Sequence, residues 1–243
     1  MAAVIGWRAG AREGEDAPVS IAYRYGVMRM GYFTRRNLFH GVGHQQVYDA
    51  LAEFWEGERH TLVPADRETR DAYTLYEQRG GWTVLEWNIG WEWDLRRRAQ
   101  FHVSRAYDCP GLLTFVHDGD FWAYELFHHG EAVDHFIQWV YPGQSWFPGR
   151  PIDGRPELLV AQFPALKLNV EHARGYLSSI RLDELPEDDP LWDDEDDEDP
   201  RAQPVREGDE AGRLDALAVF DFWRYLGVDP EAPAWRRFTT EGV

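Results

Sequence analysis

Asp118 and Gly119 separate two apolar runs, Leu112 to His117 and Asp120 to Phe127. No other feature of the chain limits its folding more. Both central residues of a type I′ turn need positive φ, so Asp-Gly between such runs specifies a tight antiparallel hairpin. A second turn at His129 and Gly130 leads into Ala132 to Val140, which extends the hairpin to a three-strand meander. Alternation sends Trp122, Tyr124 and Leu126 to one face of the middle strand and Phe121, Ala123 and Phe127 to the other. With both faces apolar, that strand is expected to be covered twice.

The flanking patterns supply the other layers. Val47, Ala50, Leu51, Phe54 and Trp55 fall at helical spacing over His44 to Glu56. Tyr73 to Gln78 and Trp82 to Trp87 surround a glycine turn and read as a hairpin. Trp91 to Tyr107 carries a helical stripe of Trp91, Leu95, Ala99, His102, Val103 and Ala106, stopped by Cys109, Pro110 and Gly111. Short helices are expected at Pro156 to Phe163 and Val170 to Leu177, and a last one from Leu214 to Leu226. Val19 to Phe33 is expected to give one or two strands. The fold class that follows is α+β, a mainly antiparallel sheet packed with amphipathic helices and covered on one face, as a single domain over residues 1–243.

Charge is concentrated in one place. The chain carries a formal net charge of −18, yet residues 183–210 hold fifteen acids against Arg201 and Arg206, a local −13 that leaves only −5 for the rest. Its densest part is the unbroken run Asp193, Asp194, Glu195, Asp196, Asp197, Glu198 and Asp199, bracketed by Pro186, Pro190, Pro200 and Pro204. Repulsion between adjacent carboxylates and the prolines together forbid a helix, so 183–210 is expected as an acidic, disordered and mobile loop or linker. An acid excess of this size argues against direct nucleic-acid binding, whose affinity comes from cationic side chains. It favours a basic protein partner instead.

The candidates for chemistry lie on the meander. Counting outward from the His129–Gly130 turn pairs Phe127 with Ala132, Leu126 with Val133 and Glu125 with Asp134. Glu125, Asp134 and the neighbouring His135 are thus the catalytic candidates, with an arginine from Arg96 to Arg98 placed to lie between the two acids. His128 and His129 are expected on opposite faces, so that only one could join His117 or His135. His40 and His44 are separated by glycines, and His102 reads as a satisfied core histidine. No metal and no cofactor are expected. Nucleophile elbows, phosphate loops and dinucleotide fingerprints are absent, and Cys109, at a helix end, reads as structural. Trp139, Trp146 and Phe147, beside a Gly/Pro-rich connection, are candidate liners of a binding groove, with Asp193, Asp194, Glu195, Asp196 and Asp197 as the charged binding element.

A single cysteine fits a reducing compartment, and no run approaches 18 apolar residues, so the expected location is cytoplasmic with no membrane contact. Of the basic residues only Lys167 is lysine, an arginine bias that suits a GC-rich bacterial genome. Acidity, size and the lack of catalytic signatures are similar to those of bacterial immunity and antidote proteins. The composition therefore implies a non-enzymatic interaction or regulatory protein binding a basic partner. The alternative is a hydrolase-type enzyme built on the carboxylates and histidines of the meander.

Overall fold

The meander forms where the turn chemistry puts it. In the computed structural model, strands β5 (Gly111–His117), β6 (Phe121–His128) and β7 (Glu131–Ile137) pair antiparallel, with Gly119 at φ 75° in the first turn and His129 and Gly130 at φ 52° and 76° in the second. The structure describes residues 34–242 except 70–71, 88–92, 118, 141–146, 148, 183, 187–188, 190–198, 200–201 and 230, together with the backbone but not the side chains of Trp93 and Arg96. The strands expected within Val19 to Phe33 lie outside the described residues.

One irregularity changes the outcome of the register count. Phe127 pairs with Ala132 as expected, but a β-bulge intervenes and Leu126 then pairs with Asp134 and Glu125 with His135. The extra residue on β7 is Val133. Because side chains alternate with a period of two, this single insertion reverses the facing of everything beyond it. Glu125 and Asp134 therefore do not oppose each other, contrary to the turn-based count. They sit on opposite faces of the sheet.

Eight strands make the sheet. Besides the meander there are β1 (Thr34–His40), β2 (His60–Pro64), β3 (Tyr73–Tyr76), β4 (Trp82–Trp87) and β10 (Ala234–Gly242), in the order β2-β10-β3-β4-β1-β5-β6-β7. Every neighbouring pair is antiparallel. The strand β1, with the sequence TRRNLFH, joins the β3–β4 hairpin to the meander and lies in the middle of the sheet. Gly111 opens β5 where a Cβ would stand 2.5 Å from the Leu38 carbonyl oxygen and 2.4 Å from the Phe127 ring. Only glycine lets β1 and β6 close around that point. A two-stranded parallel pair, β8 (Trp139–Val140) and β9 (Ile180–Arg181), completes the strands.

Helices cover both faces, not one. Helices α1 (His44–Gly57) and α2 (Trp93–Tyr107) bury Val47, Leu51, Trp55, Ala99 and Val103 against Phe39, Leu75, Leu85, Leu113 and Phe127. The opposite face receives α3 (Pro156–Gln162), α4 (Val170–Tyr176) and α5 (Ala218–Tyr225). Phe222 of α5 lies 5.0 Å from Trp122 and stacks on Tyr124, while Trp223 donates from Nε1 to the Thr114 hydroxyl at 3.2 Å. The Trp82 indole reaches the Leu226 carbonyl at 2.8 Å and packs on Phe163. Each such fully buried aromatic side chain contributes roughly 1.5–3 kcal/mol of transfer free energy, so two aromatic layers are a strong reason for the sheet to be sandwiched. The double apolar alternation along β6 is the sequence pattern of this arrangement. The last helix begins at Ala218 rather than Leu214, because residues 211–217 form turns held by Gln138, Trp139 and Asp221. Among the described residues no helix is long and apolar enough to cross a membrane.

Candidate functional site

Glu125 lies at the centre of β6 with its side chain toward α2 and no solvent exposure. Arg97, one turn into α2, approaches with Nε at 2.9 and 2.7 Å from the two carboxylate oxygens and Nη2 at 2.6 Å from Oε1. Its cross-strand neighbour His135 donates from Nε2 to Oε1 at 3.0 Å. A fixed fork of this kind is the strongest way to pair a buried carboxylate. Burial alone would raise the Glu125 pKa, but the hydrogen bonds from His135 and Arg97, with their charges, outweigh it and hold the carboxyl below its ordinary value. The His135 ring rests on Phe147, centroids 4.5 Å apart, and the Arg97 guanidinium lies 4.8 Å from the Phe101 ring. The expected arginine is therefore present, supplied by Arg97, but it serves Glu125 alone.

Asp134 is held separately on the other face. It accepts from the Tyr124 hydroxyl at 2.8 Å, from the Arg155 backbone N–H at 2.8 Å and from Arg155 Nε at 3.0 Å. Burial, then the adjacent Asp134 charge, pushes the Tyr124 phenol well above its ordinary pKa, so it stays a donor. Arg155 also donates to the Val133 carbonyl, on the bulged residue itself. The bulge is thus bridged by the residue that pairs Asp134. A general acid must share or release a proton within reach of a substrate. Neither carboxylate is arranged for that, since each is buried and already accepts hydrogen bonds on both oxygens.

The remaining candidates separate in space. Trp139 is half-buried, donates from its indole to the Leu214 carbonyl at 3.2 Å and packs on a cluster of Phe115, Phe121, Ala123, Ile137 and Phe147. Phe147 is only 6% exposed, so it is a core residue against His135 rather than the wall of an open groove. Trp146 lies outside the described residues, and so do Asp193, Asp194, Glu195, Asp196 and Asp197. His117 stands at the far end of the meander from His128, paired with Phe121. His40 is wedged edge-on against Trp82 and Phe163, while His44 packs on Trp235 and accepts the Gln78 N–H at 3.3 Å. His102 is half-buried, yet its Nε2 has no hydrogen-bond partner, the Glu53 carboxylate being 3.8 Å away. Cys109 is buried, which with the nearby Asp108 charge pushes its thiol up to about 12 and removes it as a nucleophile near neutral pH.

His128 and His129 do not point to opposite faces. The strand ends at His128, and His129 turns into the left-handed region, so the two imidazoles stack with centroids 3.8 Å apart and an interplanar angle of 15°. Both present a ring nitrogen to Asp108, just past the end of α2, with His128 Nε2 at 3.6 Å and His129 Nδ1 in direct contact. Asp108 escaped the sequence reading because its approach to the β6–β7 turn is a tertiary event. The one local signal was its place immediately before Cys109 and Pro110, at a helix stop.

The acidic segment is fastened on both sides of its dense run. Before it, Ile180 N donates to the Gln138 carbonyl at 2.8 Å and Leu182 N to the Val140 carbonyl at 3.1 Å. After it, Gln138 Nε2 donates to the carbonyls of Arg213 and Asp215 at 2.7 and 3.0 Å, beside the Trp139 contact with Leu214. Arg206 lies against Tyr176 and Tyr225 and pairs with the buried Asp209. The segment expected as a loop from 183 to 210 therefore has an anchored C-terminal portion. The residues flanking it on either side, 180–182 and 213–215, converge on Gln138, Trp139 and Val140.

Comparison of the chain with protein-family models, curated proteins and solved structures finds no match.

Proposed function

We propose that this protein is a non-enzymatic, cytoplasmic binding factor of the immunity, antidote or regulatory kind, whose acidic run engages a basic protein partner. The observation that carries this reading is the convergence of both flanks of the run on one short stretch of the body. Gln138 to Val140 receives residues 180–182 on one side and 213–215 on the other. Clustering −13 of the charge on a segment tethered at two ends concentrates the field at one place on the surface. Such a field accelerates encounter with a cationic surface and selects against an anionic one. The engaged state of Glu125 and Asp134 supports binding over hydrolysis, because these two buried acids of the meander are already committed to Arg97, His135, Tyr124 and Arg155.

The test replaces Asp193, Asp194, Glu195, Asp196 and Asp197 with serine. Intact and substituted proteins are used as baits in lysate of the source organism at roughly 0.05 M and 0.5 M salt, which spans weak and strong screening. A basic protein retained in stoichiometric amount by the intact bait, at low salt only, and lost with the substituted bait is the expected result. Equal retention by both baits, or no basic protein on either, overturns the reading.

A further inference from the structure

The geometry points to a surface site for one divalent transition-metal ion, of the zinc or copper(II) class, held by Asp108, His128 and His129. Each residue offers one ligand atom, and the three atoms all lie within 4.8 Å of one another. Bonds of about 2.0–2.1 Å in a tetrahedral shell place neighbouring ligand atoms roughly 3.3 Å apart. The 3.6 Å from His128 Nε2 to Asp108 Oδ1 already matches that spacing. His129 Nδ1 touches the same oxygen and must move back by about 1 Å to admit an ion. The His129 ring must also turn out of its stack on His128, so that both ring nitrogens aim at the ion, and its side chain and that of Asp108, 68% and 69% exposed, have solvent to move into.

The donor set decides the class of ion. Two imidazoles and one carboxylate suit zinc, copper, nickel or iron, whereas magnesium and calcium prefer shells of oxygen. Three protein ligands on one side leave the remaining positions to water. The net charge of −18 favours any cation at the surface.

The supports of the ligands are built rather than accidental neighbours. Ser104, fully buried on α2, donates its hydroxyl to the Cys109 carbonyl at 2.7 Å and accepts the Gly130 N–H at 3.3 Å. One side chain thus ties the residue after Asp108 to the residue after His129. Gly130 sits so close to α2 that a Cβ would stand 2.8 Å from Arg105 Nε and 3.0 Å from the Phe101 carbonyl oxygen. Asp108 and His129 both adopt left-handed backbone, φ 50° and 52°, which turns their side chains toward each other across the junction. Holding two ligand-bearing turns through a shared buried group is how outer contacts pre-organise a metal site.

The experiment titrates the tag-free full-length protein with zinc chloride by calorimetry, with magnesium chloride as the competing arm. Saturable uptake of one zinc ion per chain, unaffected by magnesium, is expected. Asp108→Asn and His129→Asn keep a residue that tolerates left-handed backbone while removing a ligand, and His128→Asn keeps a polar side chain in its half-buried place. Each is expected to weaken zinc binding by at least about tenfold, the lower limit seen even for outer-shell losses. Unchanged circular dichroism and melting temperature in the metal-free variants separate lost ligation from lost folding. His44→Asn and His172→Asn, distant in the fold, should bind as the intact protein does. The assignment is overturned if the intact protein shows no saturable zinc uptake, if any of the three ligand variants binds zinc undiminished, or if the distant variants lose as much as the ligand variants.

Discussion

Two carboxylate–histidine clusters sit on the β6–β7 hairpin, and they have opposite characters. In its middle, Glu125 and His135 are enclosed between the sheet and α2, with Arg97 bridging both carboxylate oxygens. At its turn, Asp108, His128 and His129 meet in the open, beyond the end of α2. The chemistry of the side chains is nearly the same, so burial decides the difference. A buried carboxylate must be paired to exist as an ion, and once paired it has little left to offer. An exposed one costs little to leave partly unsatisfied and can exchange a hydrogen bond for a ligand.

That contrast is breakable, beginning with its largest consequence. Arg97→Ala removes the fork from a fully buried charge and is expected to destabilise the protein by about 3 kcal/mol, measured by urea unfolding, with His135 limiting the loss. A cost under about 1 kcal/mol would mean that Glu125 protonates or reaches water, and the enclosed half of the comparison would fail. Next in size is Glu125→Gln, which keeps the shape but removes the charge and should cost about 1–2 kcal/mol at neutral pH.

The same variant sharpens the pH dependence. The folded pKa of Glu125 is depressed, so its contribution is fully present above the ordinary carboxylate value of 4.5 and is lost as pH falls toward the native one. Acid unfolding of the intact chain should therefore steepen below that value, and Glu125→Gln should flatten the curve there. Identical acid profiles would refute the charge-paired state.

Smaller effects belong to the open cluster. Asp108→Asn and His129→Asn should each change metal-free stability by less than about 0.5 kcal/mol, as for exposed sites with few contacts. Larger losses in thermal unfolding would make the turn a structural element and not an open ligand set. Smallest of all is the effect at Cys109, which follows Asp108 directly but is 4% exposed. With a thiol near 12, only about one molecule in 10⁴ carries the thiolate at pH 8, so labelling by a disulfide reagent should be negligible until urea unfolds the chain. Prompt native-state labelling would show that exposure at the junction extends one residue further than the structure places it.

Much of the fold was legible because its signals are local. Asp118–Gly119 specified the first hairpin, the stripe from Val47 to Trp55 specified α1, and the double apolar face of Phe121 to Phe127 anticipated a strand covered on both sides. Strands β1, β2 and β10 were not legible, since TRRNLFH and AWRRFTTEG carry charged residues through their centres and HTLVP is short and ends in proline. They become strands only through partners: β1 is paired on both edges, and Arg36 is satisfied by Glu86 at 2.8 Å and by the Trp223 ring at 4.7 Å. The site divides in the same way. Glu125 and His135 were singled out from their spacing, and Arg97 as one of three neighbouring arginines, but Asp134, expected opposite Glu125, lies on the other face. The bulge at Val133 was invisible, because one inserted residue leaves no mark on an alternating pattern interrupted by a turn.

By itself, then, the sequence determined an antiparallel α+β architecture, the positions of the meander turns and the concentration of acid between residues 183 and 210. These rest on backbone chirality, side-chain periodicity and like-charge repulsion, all of which act over a few residues. Tertiary structure alone decided that Glu125 pairs with His135 instead of Asp134, that β1, β2 and β10 join the sheet, and that Asp108 meets the two histidines. Those outcomes depend on which distant surfaces bury the most apolar area while leaving no charge unpaired, a condition that only the assembled chain can satisfy.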